Sequence, residues 1–408
     1  MRLTGEKYPC GAFVVLGTGV LTSRTIDIGV LFSRSGPYAD LGDQGYRGAI
    51  AGIEAVNRRG LPFRLSPVVA DPEGNTDRYA ALAHRLVSGG SVQHIVGCTT
   101  SWSRKEVIPA IEKTEALLWY PCVYEGFEAS ENVVYVGACA NQHIVPILDF
   151  ALPLFGRRAF LVGSNYIWGW ETCRIARDVL AHSGGEVLGE RHVPLGDTDI
   201  AHIVEEIRRK KPDFILNSLI GPSSYRFLEA YHALGRRDPD FATGRRPVLS
   251  CNLSENEIAR IAPVAEGHLT VATYFEADEG PANAAFLESL DAEDRRIGVS
   301  AFFAQAYASV LMIAAGLDAT DGGRAMDVLS AVKARDVATP LGALRVDAGN
   351  NHIHAEAHIA RATADGRFEI VRESAGRIAP DPFLTRTNLA VPGMEPPAQP
   401  RPSLRIVK

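Results

Sequence analysis

The chain is poor in the patterns that mark common catalytic and metal centres. Its six cysteines, at positions 10, 98, 122, 139, 173 and 251, include no C-x-x-C pair, which removes the usual zinc and thioredoxin-like arrangements. No G-x-S-x-G nucleophile elbow and no H-E-x-x-H helix occurs. Gly42-Asp43-Gln44-Gly45-Tyr46-Arg47-Gly48 is rich in glycine but does not spell G-x-G-x-x-G, so it gives no nucleotide loop. Positive charge is not in excess: 42 Lys and Arg stand against 48 Asp and Glu, a net −6. Such a balance offers no long-range attraction to a phosphate backbone. No apolar run reaches the roughly 18 residues of a membrane span, and no short repeat is visible.

What is present is an ordinary globular composition, 46% hydrophobic and 22% charged over 408 residues, long enough for two or more domains. The scattered thiols read as small buried hydrophobes and suit a reducing compartment. Residues 1–24 read as an extension or a weak signal-like segment. Met1 to Lys7 is charged and Gly11 to Leu21 apolar, but no small-x-small site follows, and Cys10 precedes the apolar run. The cytoplasm is therefore the expected location, with the periplasm as the alternative.

From Ile26 onward short apolar runs alternate with amphipathic stretches, the rhythm of βαβ units around parallel sheets. Strands are expected at Ile26–Phe32, Phe63–Ala70, His94–Gly97 and Ala116–Trp119. A second set is expected at Ala159–Gly163, Val187–Val193, Asp213–Leu219, Val248–Ser250 and His268–Tyr274. Helical stretches such as Asp43–Arg58, Arg78–Val87, Arg104–Lys113, Ile144–Phe155 and Ser300–Leu317 lie between them. After Ala343 the pattern turns to antiparallel strands joined at Gly349-Asn350-Asn351 and Asp365-Gly366. Beyond Ala379 seven prolines predict an extended, loosely held tail.

Several segments together resemble one family. Ile28-Gly29-Val30-Leu31-Phe32-Ser33, Asp71-Pro72-Glu73-Gly74-Asn75, Val96 to Lys105 and Ala116 to Glu128 are similar, in order, to the type I periplasmic-binding-protein family. Ala140-Asn141-Gln142, Gly163-Ser164-Asn165-Tyr166-Ile167, Asn350-Asn351-His352 and Pro380-Asp381-Pro382 extend the match. Within that family they look like the amide- and urea-binding branch, which includes the amide sensors that regulate aliphatic amidase expression. The resemblance implies two α/β lobes, each a parallel sheet flanked by helices, crossed three times by the chain and closing on a ligand. The crossings are expected near Ala140, Tyr274 and Thr339. Lobe one is then residues 25–140 with 275–338, lobe two 141–273 with 339–385, and the tail 386–408.

An amide or urea is small, neutral and planar, and its recognition needs a few placed hydrogen-bond partners in an apolar box. Thr99, Thr100 and Ser101 follow a strand at its carboxyl edge and precede a helix with free N–H groups. The alternative role for Thr100 or Ser101 is a helix cap. Tyr120 and Cys122 follow the next strand on the same edge, and core packing is the competing role for Tyr120. The family sensor carries threonine at the Cys122 position, so the smallest amides are less favoured here. From lobe two the resemblance brings Tyr166 and Trp168, and further carboxyl-edge positions are Ile220, Gly221 and Tyr274. Trp168 replaces the family's tyrosine and favours a larger ligand than acetamide.

His352, His354, Glu356 and His358 share one face of an expected strand, and a half-exposed strand explains them without a metal. No metal ligand set and no cofactor is assigned. Cys122 near Glu125 has the parts of a cysteine amidohydrolase, but no base or lysine can be placed beside them, and an enzyme is not expected. The leading reading is a sensor of short-chain aliphatic amides, regulating an amidase-type operon through a partner. By analogy that partner is an RNA-binding antitermination regulator, and a homo-oligomer is allowed. Direct nucleic-acid contact and a membrane span are not expected. The alternative is the solute-binding protein of an ABC importer for urea, amides or amino acids.

Overall fold

A computed structural model describes residues 24–394. Residues 1–23, with the signal-like segment, and the last part of the proline-rich tail lie outside the described residues. The first sheet is built from β1 (Arg24–Leu31), β2 (Phe63–Ala70), β3 (Val92–Gly97), β4 (Leu117–Tyr120) and β5 (Val133–Tyr135). Its order is β2-β1-β3-β4-β5 and every pairing is parallel. The second sheet contains β6 (Arg158–Ser164), β7 (Glu186–Val193), β8 (Phe214–Ser218), β9 (Val248–Ser250) and β10 (Leu269–Ala272). The short hairpin β11 (Val337–Thr339) and β12 (Gly342–Leu344) follows, then β13 (His358–Ala362) and β14 (Phe368–Arg372). The second sheet runs β14-β13-β10-β9-β8-β6-β7, its last two strands by sequence joining antiparallel. The expected α/β class, parallel sheets flanked by helices, is the architecture observed.

The glycine-rich run in the first helix, Ala39–Asn57, is a packing device. A Cβ on Gly48 would strike the backbone of Phe303, so glycine lets this helix lie against Ala301–Ala319 at close range. The latter helix is long and apolar enough to cross a membrane, yet 83% of its most apolar window is buried inside the protein. Its apolar surface is therefore used by the lobe-one core, where Phe303, Val310 and Ile313 pack with Ile28, Val30 and Ile53.

Two expectations need correction. The segment after Thr339 does not pass at once to lobe two. Val346, Ile353 and Ala355 are buried in the lobe-one core. Tyr135 of β5 donates its N–H to the Asn351 carbonyl at 2.9 Å and accepts from Ile353 N–H at 3.0 Å. Residues 351–353 thus extend the first sheet past β5, and the chain joins the second sheet only at His358. The stretch beyond Ala379 is also firmly held as far as it is described. The Asp381 carboxylate accepts the N–H groups of Thr385, Arg386 and Thr387 and both threonine hydroxyls. Val391 is buried, and its N–H reaches Ser183 Oγ at 2.9 Å.

Burial opposes ionisation of Asp381, but these donors outweigh it and hold its pKa below the ordinary 3.8. Its contribution is present at neutral pH and fades as pH falls through that depressed value. Asp381→Ala is expected to cost about 1.5–3 kcal/mol of stability in denaturant unfolding at neutral pH. It should also make the chain after Ala379 the first site of proteolysis.

Candidate functional site

The carboxyl ends of both sheets face a common cleft, and the residues expected there sort into four groups. Thr100 is the cap of helix Ser101–Glu112: its Oγ1 accepts from Ser103 N at 3.1 Å, completing a capping box. Thr99 takes a supporting part. Its carbonyl accepts the Tyr120 hydroxyl at 3.2 Å, while its own hydroxyl is buried without a hydrogen-bond partner. Tyr120 is thereby satisfied in the core, the competing role considered for it. Cys122 donates weakly to the Cys98 carbonyl at 3.4 Å, and burial pushes its thiol up. A protonated, enclosed thiol is a poor nucleophile.

Ser101 and Tyr166 both neighbour Glu125. Tyr166, Trp168 and Ile220 share one buried apolar cluster with Tyr120, Cys122 and Tyr38 from the first lobe. Burial, with Glu125 close by, pushes the Tyr166 hydroxyl up. Gly221 serves closure. Its φ is +57° and a Cβ there would strike the carbonyl oxygen of Pro37 across the cleft, a position suited to glycine alone. Tyr274 is not brought to the cleft. It packs on Phe286 in the lobe-one core and donates to Asn283 Oδ1 at 2.8 Å.

The lobe-one wall depends on a charge set that sequence reasoning did not assemble. Ser101 Oγ donates to Glu125. One helical turn on, Arg104 is fully buried and reaches Glu128 at 2.6 Å and Glu125 at 3.5 Å. Its guanidinium carbon lies 4.7 Å from the Tyr120 ring centre and 4.5 Å from that of Tyr124, an arrangement in which ring faces favour the cation. Lys105 takes the other Glu128 oxygen at 2.7 Å. Burial alone would drive Arg104 toward its neutral form, but Tyr120, Glu128 and Glu125 more than offset it. Burial likewise works against the Glu128 charge, and Arg104 prevails, holding that carboxyl down at about 2. Arg104 and Lys105 thus stand opposite Glu125 and Glu128.

His143 was also missed. It lines a small cavity between the lobes, about 30 Å³, together with Val123, Cys251, Asn252, Thr273 and Phe302. Its Nε2 lies 2.8 Å from the Tyr124 carbonyl and so carries the proton. Burial lowers its pKa to about 4, and Nδ1 is left as a buried acceptor without a partner. The Trp168 ring is 5.6 Å away, and its Nε1–H is a buried donor without a partner. Unpaired buried polar atoms are uncommon in native proteins and call for a missing partner. Here a donor and an acceptor belong to two neighbouring rings.

The lobes are latched at the rim. Asp40 accepts the Tyr225 hydroxyl at 2.6 Å and Arg260 Nη1 at 2.8 Å, and its carbonyl accepts Asn256 Nδ2 at 3.3 Å. The four histidine-strand residues do not converge. His352 is buried and stacks on Tyr135 at 4.0 Å, with Tyr124 as its hydrogen-bond partner. His354 faces Asp347 and His358 faces Glu356. The five described cysteines are free and buried.

Two lobes of parallel α/β structure, closed on a buried cleft with unpaired polar groups, define a two-lobed ligand-binding protein. Comparison with known proteins gives the family. A family model described as a periplasmic binding protein domain matches residues 26–389, and the chain belongs to that family. The Leu/Ile/Val-binding protein of Citrobacter freundii is 23% identical over 354 residues, covering 85% of this chain and 94% of that one. The Leu/Ile/Val-binding protein homolog 6 of Brucella abortus is 24% identical, with 83% and 87% covered. Among solved structures, an ABC-transporter solute-binding protein from Rhodopseudomonas palustris HaA2, in complex with p-hydroxybenzoic acid, superimposes with a TM-score of 0.79. It is 23% identical, with 89% and 99% covered. An amino acid ABC-transporter substrate-binding protein from Pseudomonas fluorescens Pf-5 gives 0.74 at 21% identity, with 88% and 97% covered. These relatives are binding proteins rather than enzymes.

Glu255, on the cavity wall, supplies a pH signature. Burial, with Glu276 and Glu257 nearby, pushes it up to about 8 from an ordinary 4.5. A raised folded pKa means that the folded state holds the proton longer, so its stabilisation is complete below the ordinary value and lost as pH rises toward the folded one. The thermal midpoint should therefore fall between about pH 5 and pH 8, and Glu255→Gln should flatten that slope. An unchanged slope in the variant would reject this assignment.

Proposed function

We propose that this protein is the solute-binding component of an ABC importer, working outside the cytoplasmic membrane and taking a small neutral amide or urea as its ligand. The observation that carries the ligand class is the unpaired pair at the cleft. An amide carbonyl can accept from Trp168 Nε1 while its N–H donates to His143 Nδ1. The Ser101–Glu125–Arg104 set supports the same reading, since its cation is already matched by Glu125 and Glu128 and is not free for a ligand carboxylate, while burial keeps the Glu255 carboxyl largely protonated at neutral pH.

The transport role is supported by the relatives, which are named for amino acid binding or for ABC transport. The importer reading is therefore preferred to the sensor reading. Amide sensing with an antitermination partner rests on the resemblance of short motifs alone, and the cytoplasmic location expected with it gives way to the periplasm that the family favours. The relatives named for leucine, isoleucine and valine, or solved with p-hydroxybenzoic acid, concern carboxylate ligands, and the matched Arg104 set favours a neutral one here.

Calorimetric titration of the purified chain with urea, acetamide, propionamide, butyramide, leucine and 4-hydroxybenzoate tests this. One neutral member should bind saturably at one site per chain. Ser101→Ala and His143→Phe should each weaken it by about tenfold, the worth of one buried hydrogen bond. Binding of leucine or 4-hydroxybenzoate with no response to any amide or urea would reject the ligand class.

A further inference from the structure

Where the edge strand of the second sheet meets a helix, three side chains of different chemistry converge. Glu190 and His192 are two residues apart on β7, the edge strand, and so project from the same face. That face meets helix Ile167–His182, which contributes Cys173, with Arg177 one turn further on. The Cys173 Sγ, a Glu190 carboxylate oxygen and a His192 ring nitrogen all lie within 4.8 Å of one another. No two of these residues belong to a sequence motif except the pair on the strand, which is why the spacing rules for metal ligands gave no sign of them.

From this juxtaposition we propose that Cys173, Glu190 and His192 form a site for a divalent zinc-like cation. Three details favour metal binding over a chance cluster. His192 Nε2 is buried and has no hydrogen-bond partner, although it lies 3.7 Å from Glu190 Oε1. That distance suits neighbouring ligands of a tetrahedral ion, where bonds of about 2.0–2.3 Å place donors about 3.3–3.8 Å apart. Arg177 Nη1 holds the other Glu190 oxygen, fixing the carboxylate with Oε1 turned toward His192, the outer support that metal-ligating carboxylates commonly have. Finally, the donors are one sulfur, one imidazole nitrogen and one carboxylate oxygen, a mixture suited to zinc rather than to calcium or magnesium.

Binding replaces the Sγ proton with the metal and releases that proton to water. The thiolate and carboxylate charges then cancel those of the dication. Three protein ligands leave a fourth position for water. The ion would tie the edge strand to the helix whose first turn carries Trp168, so it would brace one wall of the cleft. The site does not depend on the identity of the transported ligand.

The test uses the full chain without a histidine tag, stripped with chelator and titrated with Co²⁺ as a spectroscopic probe for zinc. One equivalent should produce a sulfur-to-cobalt charge-transfer band in the near ultraviolet, displaced by Zn²⁺. Zn²⁺ should also raise the thermal midpoint of the wild-type chain. Cys173→Ser should abolish the band. His192→Gln, at a half-buried position that tolerates polar change, should weaken binding about tenfold or more while its circular dichroism spectrum matches the wild type. Absence of the band in the wild type, or its persistence in the Cys173→Ser, His192→Gln double variant, would overturn the proposal.

Discussion

The site depends on a guanidinium that has no water. Arg104 is wholly enclosed, and an ion so placed persists only where neighbours replace its hydration. Glu125 and Glu128 neutralise it, Tyr120 and Tyr124 offer ring faces, and Tyr135 closes the layer at 5.9 Å. Removing one partner of a buried pair typically costs about 3–5 kcal/mol, so these residues are mutually obligatory. Their arrangement also fixes where Ser101 points, because Glu125 bridges the serine hydroxyl and the guanidinium. A charge set that stabilises the core of lobe one is therefore matched within itself.

The second lobe completes the enclosure with groups of another kind. Trp168 and His143 bring single unpaired atoms, while Gly221 and the Asp40 latch set how near the lobes can come. Closure costs little only if the groups buried by it find partners. Tyr225 and Arg260 find Asp40, whereas Trp168 Nε1 and His143 Nδ1 find none within the chain. This asymmetry underlies the proposed ligand site: the rim contacts are satisfied by protein, and the two ring nitrogens are not.

Much of the framework was legible because strong apolar periodicity survives translation into structure. Helices Arg78–Val87 and Ile144–Phe155 have the bounds their patterns predict, and β2 and β9 likewise. The three-residue β5 was not seen, since so short an apolar run carries no period. The short helices Glu255–Ile261 and Ala292–Ile297 give too few turns to show a period, whereas Ala325–Lys333, with Ala325, Val328, Leu329 and Val332 on one face, carries a readable one. Residues 339–355, expected in lobe two, belong with lobe one because residues 351–353 are held at the edge of the first sheet through Tyr135, a partner more than 200 residues away that no local pattern announces. At the site, the Thr99–Ser101 cap was readable from local chemistry. Arg104 with Glu125 and Glu128 was not, because the partners are 21 and 24 residues apart and nothing local pairs them. His143 gave no signal at all: its significance is an acceptor without a hydrogen-bond partner, visible only once the surroundings are known.

The central claim is that a buried cleft with no free charge selects a neutral planar ligand. The most direct measurement is the affinity of three molecules of nearly equal size: acetamide, acetate and ethylammonium, titrated calorimetrically under one set of buffer and salt conditions. The account predicts that acetamide binds more tightly than either ion at neutral pH, because Arg104 is matched by Glu125 and Glu128 and burial keeps Glu255 largely protonated, so neither ion meets a free opposite charge. Tighter binding of acetate or ethylammonium would contradict it and show that the Arg104 or Glu125 charge is exposed to the ligand rather than spent within the wall.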